Sequence, residues 1–251
     1  MQNAALEELG LGEQWKYEAI DVAPEALAEF FKAMDDEGFV GANVTVPHKE
    51  AALELADEAT DRAKAIGAAN TLSVDDDGRI LAENTDAPGL MAALSSSVDD
   101  RHALVLGAGG AARAVIWALT DAGADVSVWN RTPKRGAEIA ASFGAKPIEA
   151  KGLLPAGEFD LIVNATTVGM DDKGGLAELH LDAAALTPDH AIVDMAYGDR
   201  ETELVAIARE AGATVVDGLE VLVRQGAESL RVWTRREAPL DAMRRAVRNR
   251  R

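Results

Sequence analysis

Lys49 and Asp86 are the two residues of this chain whose type and placement suggest chemistry. Lys49 closes the stretch Asn43-Val44-Thr45-Val46-Pro47-His48-Lys49, and Asp86 closes Asn84-Thr85-Asp86. The β-branched run Val44, Thr45 and Val46 predicts a strand that Pro47 ends, because proline has no N–H for the next ladder bond. A second short strand is expected over 79–83, with Asp86 just past its end. Open α/β sheets bind ligands outside the carboxyl ends of their strands. If the two strands are neighbours, an ammonium and a carboxylate meet over one crevice. A plainer reading stands beside this one: a surface lysine after a strand, and an N-cap aspartate before the helix at Pro88. His48 precedes the lysine and on an extended segment points to the opposite side. His102, His180 and His190 lie in loops or strand starts with no acidic or histidine partner at helical spacing that suggests a metal site, and cysteine is absent, so no metal site is expected.

The elements that would position this pair come in two styles. Over the first 86 residues the pattern is a small α/β unit. Helices are expected at 2–9, 24–37 and 50–59, with another helical turn at 60–65. Strands are expected at 15–22 and at 44–46, and strands at 69–74 and 79–83 flank the hairpin signal Asp75-Asp76-Asp77-Gly78. A helix from Pro88 to about residue 97 leads to a polar break at 95–101. Beyond it, strands at 103–106, 125–129, 161–164, 191–194 and 214–216 alternate with helices at 111–122, 133–143 and 202–211, with a short helix at 183–186. Strict alternation of this kind signals a parallel, doubly wound sheet. From Gly218 the chain is helical again, broken near Pro239.

Composition limits the function classes. The chain has 251 residues, 48% of them apolar and 27% charged, enough for one large domain or two small ones. Lacking cysteine, it can have neither disulfides nor thiol catalysis. No apolar run approaches the roughly 20 residues that span a bilayer, and no signal-peptide pattern opens the chain, so a cytoplasmic location is expected. The net charge of −18 is uneven. Residues 224–251 carry 9 arginines and 3 acids, which leaves 16 bases and 40 acids, a net of −24, on residues 1–223. Such a surface argues against nucleic-acid binding, and the basic end reads as one face of a last amphipathic helix.

The segment Leu104-Val105-Leu106-Gly107-Ala108-Gly109-Gly110-Ala111-Ala112 is a strand, a glycine turn and a helix start close to the dinucleotide fingerprint. Gly107 allows the tight turn, Gly109 lets backbone approach a pyrophosphate, and Gly110 and Ala111 open a helix whose free N–H groups suit an anion. NAD enzymes end the next strand with an acid for the ribose hydroxyl. Here that strand is followed by Asn130-Arg131-Thr132-Pro133-Lys134-Arg135, whose guanidinium forks match a 2′-phosphate. NADP is the expected cofactor.

Taken in order, these stretches resemble the shikimate dehydrogenase family. The resemblance also rests on Ile66-Gly67-Ala68-Ala69-Asn70-Thr71, on Asn164-Ala165-Thr166-Thr167-Val168-Gly169-Met170, on Asp194-Met195-Ala196-Tyr197 and on Asp217-Gly218-Leu219 with Gln225. It implies an NADP-dependent, reversible reduction of 3-dehydroshikimate to shikimate, a step of aromatic amino-acid and chorismate biosynthesis. By that resemblance Lys49 and Asp86 are the catalytic dyad, and Asn43, Thr45, Asn70, Tyr197 and Gln225 hold substrate or line its pocket. Asn130, Arg131, Thr132 and Arg135 take the 2′-phosphate, while Thr166, Met195 and Gly218 lie along the cofactor. The implied architecture is α/β. An N-terminal substrate domain (1–98, completed by returning helices in 218–251) is followed by a Rossmann-type NADP domain (99–217). A monomer or homodimer with no nucleic-acid or membrane partner is expected.

The family pattern opens with a strand and a turn of the form Ser-x-Ser-x-Ser-Pro for the substrate carboxylate, and this sequence starts at the helix that follows them. The expected cause is a start set downstream of the natural one, or a fragment; the alternative is a short form that binds NADP but holds shikimate poorly. Quinate/shikimate dehydrogenases of broader specificity, methylenetetrahydrofolate dehydrogenases and NADP-binding paralogues with little activity are the competing readings. The first tends toward NAD and an acid after the second strand, and the second would not carry Asn84-Thr85-Asp86.

Overall fold

The structure, a computed structural model, describes residues 1–150, 152–170 and 175–249. They fall into two compact units, Met1–Gly89 with Val223–Asn249, and Leu90–Leu222. In chain order the first unit contains α1 (Gln2–Glu8), α2 (Leu27–Ala33), β1 (Gly41–Asn43), α3 (Lys49–Leu55), β2 (Glu58–Ala59), α4 (Asp61–Ile66), β3 (Thr71–Val74) and β4 (Ile80–Glu83). Its sheet has the order β1-β3-β4-β2. Antiparallel register sets Asn43 opposite Thr71 and Thr71 opposite Glu83. One face packs Leu72, Ile80 and Ala82 on Leu27, Phe31, Met34 and Ala52. The β3–β4 hairpin turns where expected. Asp75 Oδ1 accepts the N–H groups of Asp77 and Arg79, and Gly78 sits at φ 77°. The Arg79 N–H, first among several donors, holds the Asp75 carboxyl below its ordinary value.

Several expectations for this unit are corrected. The strand lies at Gly41–Asn43, and Val44 to Pro47 form its exit and a turn, so Lys49 opens α3 instead of trailing a strand. β-Propensity misled here, because what places the strand is close packing. A methyl on Gly41 would collide with Leu72 O and the Trp233 indole nitrogen. Residues 15–22 form no strand, and β1 is the last strand on that side of the sheet; Tyr17 bonds through its backbone to the Asn3 side chain instead. The long helix expected over 24–37 is a 3₁₀ turn, Pro24–Ala26, followed by α2. The helix expected over 50–59 stops at Leu55, and Glu58–Ala59 pair with β4 instead.

α5 (Asp86–Ala93) leads into the second unit, where β5 (His102–Leu106), α6 (Gly110–Asp121), β6 (Asp125–Trp129), α7 (Pro133–Phe143), β7 (Lys146–Pro147), β8 (Leu161–Asn164), β9 (Ala191–Asp194), α8 (Glu203–Glu210) and β10 (Thr214–Val216) follow. All its paired strands are parallel, in the order β10-β9-β8-β5-β6-β7. Alternate residues feed two cores, as a sheet covered on both faces requires. Ala103, Val105, Leu161, Val163 and Val193 meet α6 and α7, while Leu104, Leu106, Ile162 and Ile192 meet α8 and the loops before β8 and β9. This is the doubly wound α/β arrangement. The order reverses between β5 and β8, which makes the carboxyl ends of these strands the place for a ligand. α9 (Gly218–Thr234) and α10 (Leu240–Arg248) close the chain. Val223, Ala227, Leu230 and Met243 bury α1 through Ala5 and Leu6.

Candidate active site

Within the first unit, α3 delivers Lys49 and α5 delivers Asp86. The Lys49 ammonium donates to Asp86 Oδ2 at 2.6 Å, with the two side chains only 12% and 6% exposed. Asp86 Oδ1 accepts from Asn70 Nδ2 at 2.9 Å, and the same nitrogen donates to Gln225 Oε1 at 3.2 Å. Four of the expected site residues therefore form one connected cluster. α9 brings Gln225 against α5 because position 89 is glycine; any side chain there would strike the Gln225 backbone, 2.6 Å from the added carbon. The lysine backbone also takes part in the fold, since Lys49 O accepts the Ala69 N–H at 2.8 Å, one residue before Asn70.

Behind the dyad lies a buried polar layer that holds the amides in one orientation. Asn70 Oδ1 accepts from Thr85 N (2.7 Å), Thr85 Oγ1 (3.1 Å) and Thr71 Oγ1 (3.2 Å), so its NH₂ must face Asp86. Thr71, Thr85 and Ser229 hydroxyls form a triangle with sides of 2.8 to 3.0 Å. Asn43 joins it by donating to Ser229 Oγ at 2.8 Å and to Asn70 O at 3.2 Å, and its Oδ1 accepts the Tyr17 hydroxyl at 3.0 Å. Asn84 Nδ2 ties this strand end to Ala68 O. The sequence reading missed Ser229. Its signal was its position four residues after Gln225, on the same face of one helix.

Two expected residues stand apart from the cluster. Thr45 is exposed in the turn after β1, where its carbonyl accepts the His48 N–H. Tyr197 belongs to the second unit, in the loop after β9. His48 donates through Nε2 to Val22 O at 2.8 Å and makes no hydrogen bond to the dyad.

In the second unit the glycine turn follows β5. Gly107 adopts φ 122°, with Ala165 O 3.0 Å and Thr166 Cγ2 3.3 Å from where a side chain would start. Gly109 opens α6 without a side-chain cap and faces open space, so the bare helix N-terminus is accessible to a large anion. After β6, Asn130 Nδ2 closes the turn on Thr132 O at 3.0 Å. Arg131, Thr132 and Arg135 are exposed, and among the described residues neither arginine makes an ion pair. A free cationic fork beside a glycine cradle fits the phosphates of NADP. Met195 and Thr166 follow β9 and β8, and Gly218 is held against Ala196 O so closely that no side chain would fit. Among the described residues there is no cluster of acids and histidines able to hold a metal, and no helix is long and apolar enough to cross a membrane.

Comparison with known proteins gives three matching family models: a shikimate dehydrogenase substrate-binding domain over residues 1–72, a shikimate/quinate 5-dehydrogenase model over 90–169, and a shikimate 5′-dehydrogenase C-terminal domain over 218–248. The NADP⁺ shikimate dehydrogenase of Methylobacterium radiotolerans is 45% identical over 86% of this chain and 80% of its own length. Among solved structures, the shikimate 5-dehydrogenase of Thermus thermophilus in complex with NADP(H) and shikimate is 40% identical and superposes with a TM-score of 0.88, covering 100% of this chain and 93% of that one. The quinate dehydrogenase of Corynebacterium glutamicum in complex with NAD is 28% identical with a TM-score of 0.84, covering 99% of this chain and 93% of that one.

Proposed function

This chain belongs to the shikimate dehydrogenase family, and we propose that it catalyses the NADP-dependent, reversible reduction of 3-dehydroshikimate to shikimate. The reading assigns substrate to residues 1–98 with the helices of 218–251, and NADP to residues 99–217. It takes the protein to be a cytoplasmic enzyme, monomeric or homodimeric. The single observation that carries it is the buried Lys49–Asp86 pair with Asn70 and Gln225 around it.

The reduced cofactor, when bound, supplies hydride to the ketone carbon. What the protein must add is a proton at the ketone oxygen, where negative charge develops. Lys49 is the donor in this reading, because it is the cation of the cluster and has N–H groups beyond the one given to Asp86. Asp86 aims the ammonium and has acceptor capacity left for a substrate hydroxyl. Asn43, Asn70 and Gln225 are fixed by their own hydrogen bonds, so they can meet further hydroxyls without reorganisation. By the family pattern, Thr45 of the first unit and Tyr197 of the second are also assigned to substrate. On the cofactor side, Gly107, Gly109, Gly110 and Ala111 would hold the pyrophosphate. Asn130, Arg131, Thr132 and Arg135 would hold the 2′-phosphate, with Thr166, Met195 and Gly218 further along.

The test is to incubate the purified chain with shikimate and NADP⁺ and follow absorbance of the reduced cofactor. Shikimate-dependent reduction is expected, faster with NADP⁺ than with NAD⁺ and faster with shikimate than with quinate. No shikimate-dependent signal with either nucleotide would sink the reading. Equal rates with quinate would favour the broader-specificity enzyme.

A further inference from the structure

Asp194 is a buried carboxylate that the proposed chemistry does not use. It ends β9, an otherwise apolar strand between β10 and β8 in the second unit's sheet, and it is fully excluded from solvent. None of its hydrogen-bond partners is a cation. Its Oδ1 accepts from Asn164 Nδ2 at 2.8 Å and from Ala196 N at 3.0 Å, and its Oδ2 accepts from Thr202 Oγ1 at 2.6 Å. Those partners sit at the carboxyl end of β8, in the loop after β9 and at the N-cap of α8. One side chain thus gathers three segments at the edge of the sheet where a nucleotide belongs.

The hub is directional because an ionised carboxylate only accepts. Asn164 must turn its NH₂ toward Asp194, with the second proton going to Val168 O at 3.2 Å. Its Oδ1 is then left to accept from Thr166 N at 3.1 Å and Thr166 Oγ1 at 2.7 Å. With its proton committed, Thr166 Oγ1 accepts the Val168 N–H at 3.0 Å. Thr166 in turn lies under Gly107 of the glycine turn. On the other side, Thr202 donates to Asp194 while its oxygen caps α8 by accepting Val205 N at 3.3 Å. Thr202 Cγ2 also lies 3.0 Å from the position of a side chain at Gly169, a residue at φ 89°. Burying an unpaired charge costs free energy, and burial pushes this carboxyl up from its ordinary value despite the three donors. A site kept at that cost points to a need for an acceptor-only group.

We infer that Asp194 is a positioning residue for the cofactor: through Asn164 and Thr202 it sets the loops that carry Thr166, Met195 and Tyr197, and so governs binding of the nicotinamide half of NADP while leaving the 2′-phosphate half untouched. This rests on the NADP reading above. An asparagine at 194 can satisfy Asn164 and Ala196 with its oxygen, but its NH₂ then faces Thr202 Oγ1, whose proton loses its acceptor. The inference therefore concerns one bond and one charge, not the size of the side chain.

The experiment is equilibrium binding by titration calorimetry of NADP⁺ and of adenosine 2′,5′-bisphosphate, a fragment that carries the 2′-phosphate and lacks the nicotinamide. Asp194→Asn and Thr202→Val should each weaken NADP⁺ by about tenfold or more, the range of a lost hydrogen bond to a charged group. The fragment should stay within about twofold of wild type, since its 2′-phosphate contacts lie after β6 and its 5′-phosphate would meet the start of α6, where no residue bonds to Asp194. Thr202→Ser keeps the hydroxyl and should bind both like wild type. If Asp194→Asn does not fold, the Thr202→Val and Thr202→Ser pair carries the test. Equal losses for NADP⁺ and fragment, or no loss for NADP⁺, would overturn the inference. A wild-type protein that binds neither nucleotide would overturn the cofactor reading itself, and the inference with it.

Discussion

Asp86 and Asp194 are the same side chain at similar burial in the two units, yet they are built into opposite surroundings. Asp86 holds an ammonium at 2.6 Å and one amide, and leaves acceptor capacity open. Asp194 holds three neutral donors that all belong to the fold. The first arrangement can exchange a partner during turnover, since the lysine is a mobile chain with protons to give. The second cannot change without moving three loop segments. Burial alone thus does not mark a reacting carboxylate; what its donors are attached to does.

The contrast can be broken most directly at the lysine. Lys49→Ala should reduce kcat by about 10²- to 10⁴-fold, the usual worth of positioned proton transfer, with a far smaller change in KM. Steady-state kinetics decides it, and a kcat within about threefold of wild type would remove Lys49 from the chemistry.

Making the same substitution at both aspartates sharpens the comparison. Asp86→Asn should lower kcat by about tenfold or more while NADP⁺ affinity holds, and Asp194→Asn should show the reverse pattern. If both variants lost the same parameter, the division between a reacting and a positioning carboxylate would collapse.

A gentler separation uses pH. Burial raises the Asp194 pKa above the ordinary 3.8, so the folded protein takes up this proton at higher pH than the unfolded chain does. The cost of the buried charge is present in full above the raised pKa and is relieved as pH falls through it. Asparagine does not titrate. Denaturant unfolding at a series of pH values should therefore show the wild type gaining on Asp194→Asn in acid. A difference that is flat, or that shrinks in acid, would mean that burial does not dominate this carboxyl.

The smallest expected effect lies behind the dyad. Ser229→Ala removes one corner of the hydroxyl triangle and should cost about 1 kcal/mol of stability, with a modest rise in KM for shikimate through Asn43 and little change in kcat. A loss of kcat comparable to that of Lys49→Ala would make Ser229 part of the reacting group.

Legibility followed the same division. In the second unit the buried parallel strands are short apolar runs between glycines and polar turns, and β6, β8, β9 and β10 start and stop where the residues suggest. The glycine turn with the arginines after β6 was legible for the same reason, since chemistry and punctuation coincide there. In the first unit the strands have two to four residues, and tertiary packing overrode propensity. Val44, Thr45 and Val46 read as a strand, yet Gly41, Ala42 and Asn43 form it, with Gly41 fitting where Leu72 O and the Trp233 indole leave no room for a side chain. The two-residue strands β2 and β7 carry no periodicity at all. Lys49, Asp86 and Asn70 were visible as isolated signals. Asp86 joins Lys49 and Asn70 directly, but Gln225, the fourth member, arrives from far along the chain, at a sequence distance no local pattern reports. Asp194 is visible in the sequence as a charge closing an apolar strand, but its partners Asn164 and Thr202 come from other segments that no local pattern links to it.

Trp233 gives the protein an optical reporter. Its indole N–H donates to Leu72 O at 2.8 Å, and its ring lies 6.2 Å from that of Tyr17, whose hydroxyl donates to Asn43. A ligand hydroxyl that claims Asn43 would disturb Tyr17 and, through it, the surroundings of the indole. Emission from Trp233, isolated from the other three tryptophans by a Trp233→Phe blank, would then follow occupancy of the substrate side without any added dye or cofactor.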